Sequence, residues 1–166
     1  PNQIEMLYKA IYDKPPKIYI LTSTVAVYFD QYKKYILQED TKISNGYIDK
    51  DCFSTNYKKY SYGKFHCEAF VKNQSQIPYV ILRLPFVTGP EDFSFRLAYF
   101  INRIRKGKIT LPDDAQNIQQ VFSGDLPKVV MEILNNFGKF QNQTINITPN
   151  AISVLDYIKI LAEAMN

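Results

Sequence analysis

The sequence predicts an α/β fold with a mostly parallel sheet. Three observations predict it. Two runs, 17–28 (KIYILTSTVAVY) and 79–87 (YVILRLPFV), are β-branched, aromatic and nearly free of charge, as strands buried on both faces of a parallel sheet are. Stretches with the helical period lie between and after these runs. Strand and helix patterns alternate along the chain, with no internal repeat and no low-complexity tract.

Taken in order, residues 2–13 place Ile4, Leu7, Tyr8 and Ile11 at helical spacing, and Pro15-Pro16 ends the pattern. After the first strand, 29–56 is polar and rich in Lys, Asp and Asn, so it reads as a long surface loop. Helical spacing returns over 57–73, where Tyr57, Tyr60 or Ser61, Lys64, Cys67 or Glu68, and Val71 recur along one side. Pro78 introduces the second strand, and Thr88-Gly89-Pro90 turns the chain after it. An amphipathic helix follows over 96–106, with Leu97, Phe100, Ile101 and Ile104 facing inward and Gly107 placed to cap its end. Short strands are expected at 109–111 and 119–123. Asp125 is expected to cap a helix over 126–136 that tolerates Pro127 in its first turn. Residues 143–148 alternate as a strand does. Ser153 then caps a last helix over 154–165, with Leu155, Ile158, Leu161 and Ala162 facing inward.

Composition narrows the function. Of 166 residues, 46% are apolar and 22% charged, which is enough for a core and excludes a disordered chain. The net charge of +4 is spread along the sequence, so nucleic acid is not the expected partner. No apolar run has the length to span a bilayer, and no secretory leader pattern opens the chain. Cys52 and Cys67 lack the spacing of a zinc site and read as free thiols, so no metal is expected and the expected location is the cytoplasm. The N-x-S/T triplets at Asn73, Asn142 and Asn146 are chance matches in an Asn-rich chain.

Three features fall in order on this pattern. The hydroxyl pair Ser23-Thr24 ends the first strand. A Tyr-x-x-x-Lys, Tyr60 to Lys64, sits on the next helix. The second strand ends in Arg83-Leu-Pro-Phe-Val-Thr-Gly-Pro90. Residues four apart on a helix share a face, so an ammonium at that spacing stabilises a phenolate and fits the Tyr for proton transfer near neutral pH. A strand-end hydroxyl can hold the substrate oxygen on which the proton is exchanged. Both elements aim at the carboxyl edge of a parallel sheet, where open α/β folds bind ligands. Thirteen Tyr and sixteen Lys give about one Tyr-x-x-x-Lys by chance, so it is the order of the three features that carries the reading.

In that order the sequence resembles the extended short-chain dehydrogenases/reductases, the NAD-dependent epimerase/dehydratase family. TSTVAVY (22–28) resembles the family's S-S-x-x-V-Y segment, YSYGKFHCE (60–68) its Y-x-x-S/G-K-x-x-x-E helix, and LRLPFVTGP (82–90) its L-R-P-x-x-V-Y-G-P strand end. Weaker likenesses follow at 120–130 and 144–158, so the resemblance covers nearly the whole chain.

The resemblance implies a doubly wound, Rossmann-like parallel sheet with a small carboxyl-terminal substrate lobe. It implies Thr24, Tyr60 and Lys64 as catalytic residues, with Tyr60, Lys64, Pro85, Phe86 and Val87 at the nicotinamide of NAD or NADP. Thr24, Phe86 and Arg96 are the implied substrate contacts. The expected activity is hydride transfer at a carbinol or carbonyl carbon of a small molecule, by an enzyme that is cytoplasmic and compatible with a homodimer. Two departures shape this expectation. The family's Asn in the strand-end motif is Phe86 here, which argues against a nucleotide-sugar substrate. No G-x-x-G-x-x-G occurs, and the six Gly, at 46, 63, 89, 107, 124 and 138, do not cluster. The expectation is therefore a partial domain over 1–166, the carboxyl-terminal part of a longer protein and inactive alone. Its sheet and catalytic part would occupy 1–88, and the substrate lobe with returning strands and helices 89–166. The alternative is a non-catalytic relative that binds RNA or regulates. Arg83 is expected to pair with a carboxylate, His66 to sit half-buried on its helix, and Lys33-Lys34 and Lys58-Lys59 to be solvated.

Overall fold

The computed structural model describes residues 2–31, 38–41, 56–74, 76–111 and 117–165. Most of the loop expected over 29–56, with Cys52 and Lys33-Lys34, lies outside them. The elements are α1 (Asn2–Ala10), β1 (Tyr19–Thr24), a 3-10 helix (Val25–Gln31), α2 (Asn56–Asn73), β2 (Tyr79–Leu84), β3 (Phe86–Thr88) and α3 (Arg96–Arg105). They continue with β4 (Asn117–Ile118), β5 (Gln120–Phe122), α4 (Leu126–Asn135), α5 (Phe137–Phe140), β6 (Gln143–Asn146), β7 (Ile152–Ser153) and α6 (Val154–Ala164). The contacts divide the chain into two units, 1–84 with 131–147, and 85–130 with 148–166. Among the described residues no helix is long and apolar enough to cross a membrane.

In the first unit, β1, β2 and β6 form a parallel sheet in the order β1-β2-β6. Tyr19 lies opposite Tyr79 and Thr24 opposite Leu84, while Val80 to Arg83 run beside Gln143 to Asn146. The central strand behaves as its composition dictates, with every residue from Val80 to Leu84 buried. β1 is shorter than its apolar run, because the chain leaves the sheet after Thr24 and winds into the 3-10 helix. Ile4 and Tyr8 of α1, Leu21, Val71, Ile77 and Ile81 make one core cluster, and Cys67, a free half-buried thiol, packs against it. Leu7, expected inward, is exposed instead.

Tyr8 stands edge-on to Tyr19 and Phe70, with ring centroids 5.2 and 5.3 Å away. Among the described residues its buried hydroxyl has no hydrogen-bond partner. Burial, with Tyr19 beside it, pushes the phenol up to about 12. A raised phenol pKa stabilises the fold fully below the unfolded value near 10, and that contribution is lost as pH rises from about 10 through about 12. Tyr8→Phe is therefore expected to leave the melting temperature at neutral pH unchanged or higher, because it deletes an unsatisfied hydroxyl. It should also flatten the alkaline loss of stability. Thermal melts at neutral pH and above pH ~10 check both parts.

The second apolar run is not one strand. Pro85 has no N–H to give a ladder and ends β2. β3 then starts at Phe86 and pairs in parallel with β5 in the second unit. Gly89 is required by the turn that follows, since a Cβ there would lie 2.2 Å from Ser123 Oγ. β4 and β7 form a short antiparallel pair. Residues 109–111, expected as a strand, are irregular. α3 packs on α6, where the Phe100 and Tyr157 rings meet at 5.3 Å, and neither helix buries a residue fully. At the end of α3, Gly107 takes φ +65°, its N–H bonds Ile104 O, and Lys108 N–H bonds Arg103 O. This is the left-handed glycine cap expected there. Ser153 caps α6 as expected, its Oγ accepting from the Asp156 N–H at 3.0 Å. Asp125 precedes α4 in a 3-10 turn and holds Lys128 Nζ at 2.8 Å.

Candidate active site

The candidate site is built where β1 stops and α2 lies against it and the 3-10 helix. β1 delivers Thr24 as its last residue, buried, with its Oγ accepting the Ala26 N–H at 3.1 Å. The turn thus uses a lone pair of that hydroxyl and leaves its O–H to donate. On α2, Tyr60 stands half exposed and Lys64 one turn further along. The Lys64 ammonium lies 6.0 Å from the Tyr60 ring centroid and donates to the Thr22 carbonyl at 2.9 Å. That bond fixes the Lys head at the strand end, two residues before Thr24. It is a contact that spacing along the sequence cannot reveal, because its acceptor is backbone.

Behind this edge lies a buried polar cluster. Arg83 forms a two-pronged pair with Glu68, Nε to Oε1 at 3.0 Å and Nη2 to Oε2 at 2.7 Å. Ser23 Oγ donates to Glu68 Oε1 at 2.6 Å. Arg83 Nη1 donates to the Tyr28 hydroxyl, which also lies 2.9 Å from Asn146 Oδ1. Burial opposes the charge on Arg83, but the Glu68 carboxylate and Tyr28 outweigh it, so its pKa is raised. The expected carboxylate partner of Arg83 is therefore Glu68, one turn after Lys64. His66 takes no part, its ring resting against Tyr62 at 4.1 Å and Phe65 at 5.8 Å.

The other expected contacts lie in the second unit. Pro85 and Val87 are half-buried, whereas Phe86 is half exposed on β3, and the Arg96 guanidinium stacks on its ring at 4.7 Å. The structure thus brings Phe86 and Arg96 together. Arg96 Nη1 also donates to Ser94 Oγ at 2.8 Å. Ser94 in turn gives its hydroxyl and its N–H to Asp92, and these two bonds hold the Asp92 carboxyl below its usual pKa. An open cavity of about 390 Å³ lies beside this turn, with Phe93, Phe95, Leu97 and Ile101 among its walls. Phe93 and Phe95, just past the Gly-Pro turn, are strongly exposed.

A parallel α/β sheet with helices packed on it is a Rossmann-like architecture. Solved structures share it. Over 98% of this chain, dTDP-glucose 4,6-dehydratase from Bacillus anthracis, in complex with NAD, matches with a TM-score of 0.74 at 15% identity. UDP-glucuronic acid 4-epimerase from Bacillus cereus, also in complex with NAD, matches over 98% with a TM-score of 0.72 at 20% identity. UDP-glucose 4-epimerase from Thermotoga maritima, with UDP-glucose, matches over 96% with a TM-score of 0.66 at 18% identity. The chain spans about half the length of each, 50%, 51% and 51% in that order. The likeness is one of fold. No family model and no curated protein matches the sequence.

Proposed function

We propose that this chain carries the catalytic residues and substrate lobe of an NAD(P)-dependent epimerase, dehydratase or reductase of the extended short-chain family. One observation carries the reading: Lys64 Nζ, one helical turn from Tyr60, is tied to the strand end that presents Thr24. The residues suit the nicotinamide end of the cofactor. An ammonium has three donors, and Lys64 uses one on Thr22, which leaves two for ribose hydroxyls. NAD, when bound, would accept or return the hydride at a carbinol carbon. Tyr60 Oη takes or gives the hydroxyl proton, and Thr24 O–H holds the substrate oxygen.

The 166 residues contain no glycine-rich phosphate loop, so activity is assigned to a protein that includes one. The substrate is a small alcohol or carbonyl compound. Phe86, stacked under Arg96, favours an apolar contact where the family's Asn would hydrogen-bond. The test is a fluorescence titration of the full-length protein with NADH. Saturable binding is expected, weakened by about 10- to 100-fold in Lys64→Ala through loss of its charged hydrogen bonds. Absence of NADH binding together with a salt-dependent shift of RNA would overturn the reading in favour of an RNA-binding relative.

A further inference from the structure

We propose that Glu68 and Arg83 are positioning residues, which hold α2 in the register that delivers Lys64, and with it Tyr60, to the strand edge. The inference rests on reading Tyr60 and Lys64 as the working pair. It starts from the sheet register. Ser23, Arg83 and Asn146 occupy one row across β1, β2 and β6, the row next to the one holding Thr24 and Leu84. All three residues of that row are polar in a sheet that is otherwise apolar at its centre.

Glu68 reaches two of the three residues of the row. It accepts from Ser23 at 2.6 Å and from both prongs of Arg83, and the Tyr28 hydroxyl bridges Arg83 to Asn146. Glu68 and Arg83 are 2% and 1% exposed, so water does not compete for these bonds. On α2, Glu68 and Lys64 share a face one turn apart. Their partners on β1 are adjacent residues, Ser23 for Glu68 and Thr22 for Lys64.

A slip of α2 by one residue turns its side chains by about 100° and breaks both contacts at once. Val71 packs α2 into the core cluster, and the polar contacts add directional bonds to that packing. A buried ion pair is no better for stability than apolar residues of the same volume, so its advantage here is directional.

The test separates position from stability. The paired replacement Glu68→Leu with Arg83→Met fills the same space without the charge, and is made in the full-length protein. The readout is competitive acetylation of Lys64 Nζ by acetic anhydride, followed by mass spectrometry, with exposed Lys14 as the internal reference. A cooperatively melting variant in which Lys64 labels several-fold faster relative to Lys14 supports the proposal. A folded variant that labels at the native rate overturns it. If the paired variant does not fold, Glu68→Gln replaces it, since that change keeps the shape of the side chain and removes the charge that grips both prongs of Arg83. There a smaller rise in Lys64 labelling is expected, and a native rate overturns the proposal. The labelling uses no cofactor. Release of Lys64 in a protein whose native form binds no NADH leaves the positioning role standing and removes the enzymatic reading instead.

Discussion

Tyr60→Phe in the full-length protein is expected to lower turnover by about 10²- to 10⁴-fold while leaving NADH affinity nearly unchanged. The substitution removes one oxygen from a half-exposed ring, so neither packing nor fold should suffer. What disappears is the hydroxyl proposed to exchange a proton with the substrate, one helical turn from the Lys64 that is moored to Thr22. Lys64→Ala should behave differently, since it strips both the ammonium near the Tyr60 ring and the donors proposed for the ribose. It is expected to weaken cofactor binding and slow turnover together. The contrast between the two variants is the measurement, read as NADH affinity and kcat side by side. Equal activity of Tyr60→Phe and the native protein would remove the proposed chemistry.

Much of this arrangement was legible in the sequence because it is local. The end of β1 at Thr24, the helix bearing Tyr60 and Lys64, the Gly107 cap and the Ser153 cap each follow from a few neighbouring residues whose backbone preferences agree. Pro85 was visible too, yet the apolar run around it reads as continuous. A strand's partners are settled by residues far away, here β6 for one side of the break and β5 for the other. The same distance hides the polar row. Ser23, Glu68, Arg83 and Asn146 span more than a hundred positions, and only the sheet register lines them up. The left-handed Glu91 and Phe95 escape sequence reasoning for another reason. Neither residue type favours positive φ, so the surrounding turn imposes it.

Glu68→Ala is expected to be the most damaging single change to stability. It leaves Arg83 charged, 1% exposed and without its carboxylate, and removing one member of a buried pair costs about 3–5 kcal/mol. A domain has only about 5–15 kcal/mol in total, so the urea midpoint should fall steeply. Ser23→Ala deletes one hydrogen bond and keeps the pair, and should cost only about 1 kcal/mol. The paired replacement of Glu68 and Arg83 by Leu and Met leaves no charge buried, so most of the Glu68→Ala loss should be recovered. This ordering distinguishes two accounts of the cluster. If the pair existed mainly to stabilise the fold, the apolar replacement would stay well below the native protein in stability and Lys64 would label at its native rate. If it exists to set the register of α2, stability returns and the placement of Lys64 does not. Denaturation and Lys64 labelling on the same three variants decide between them.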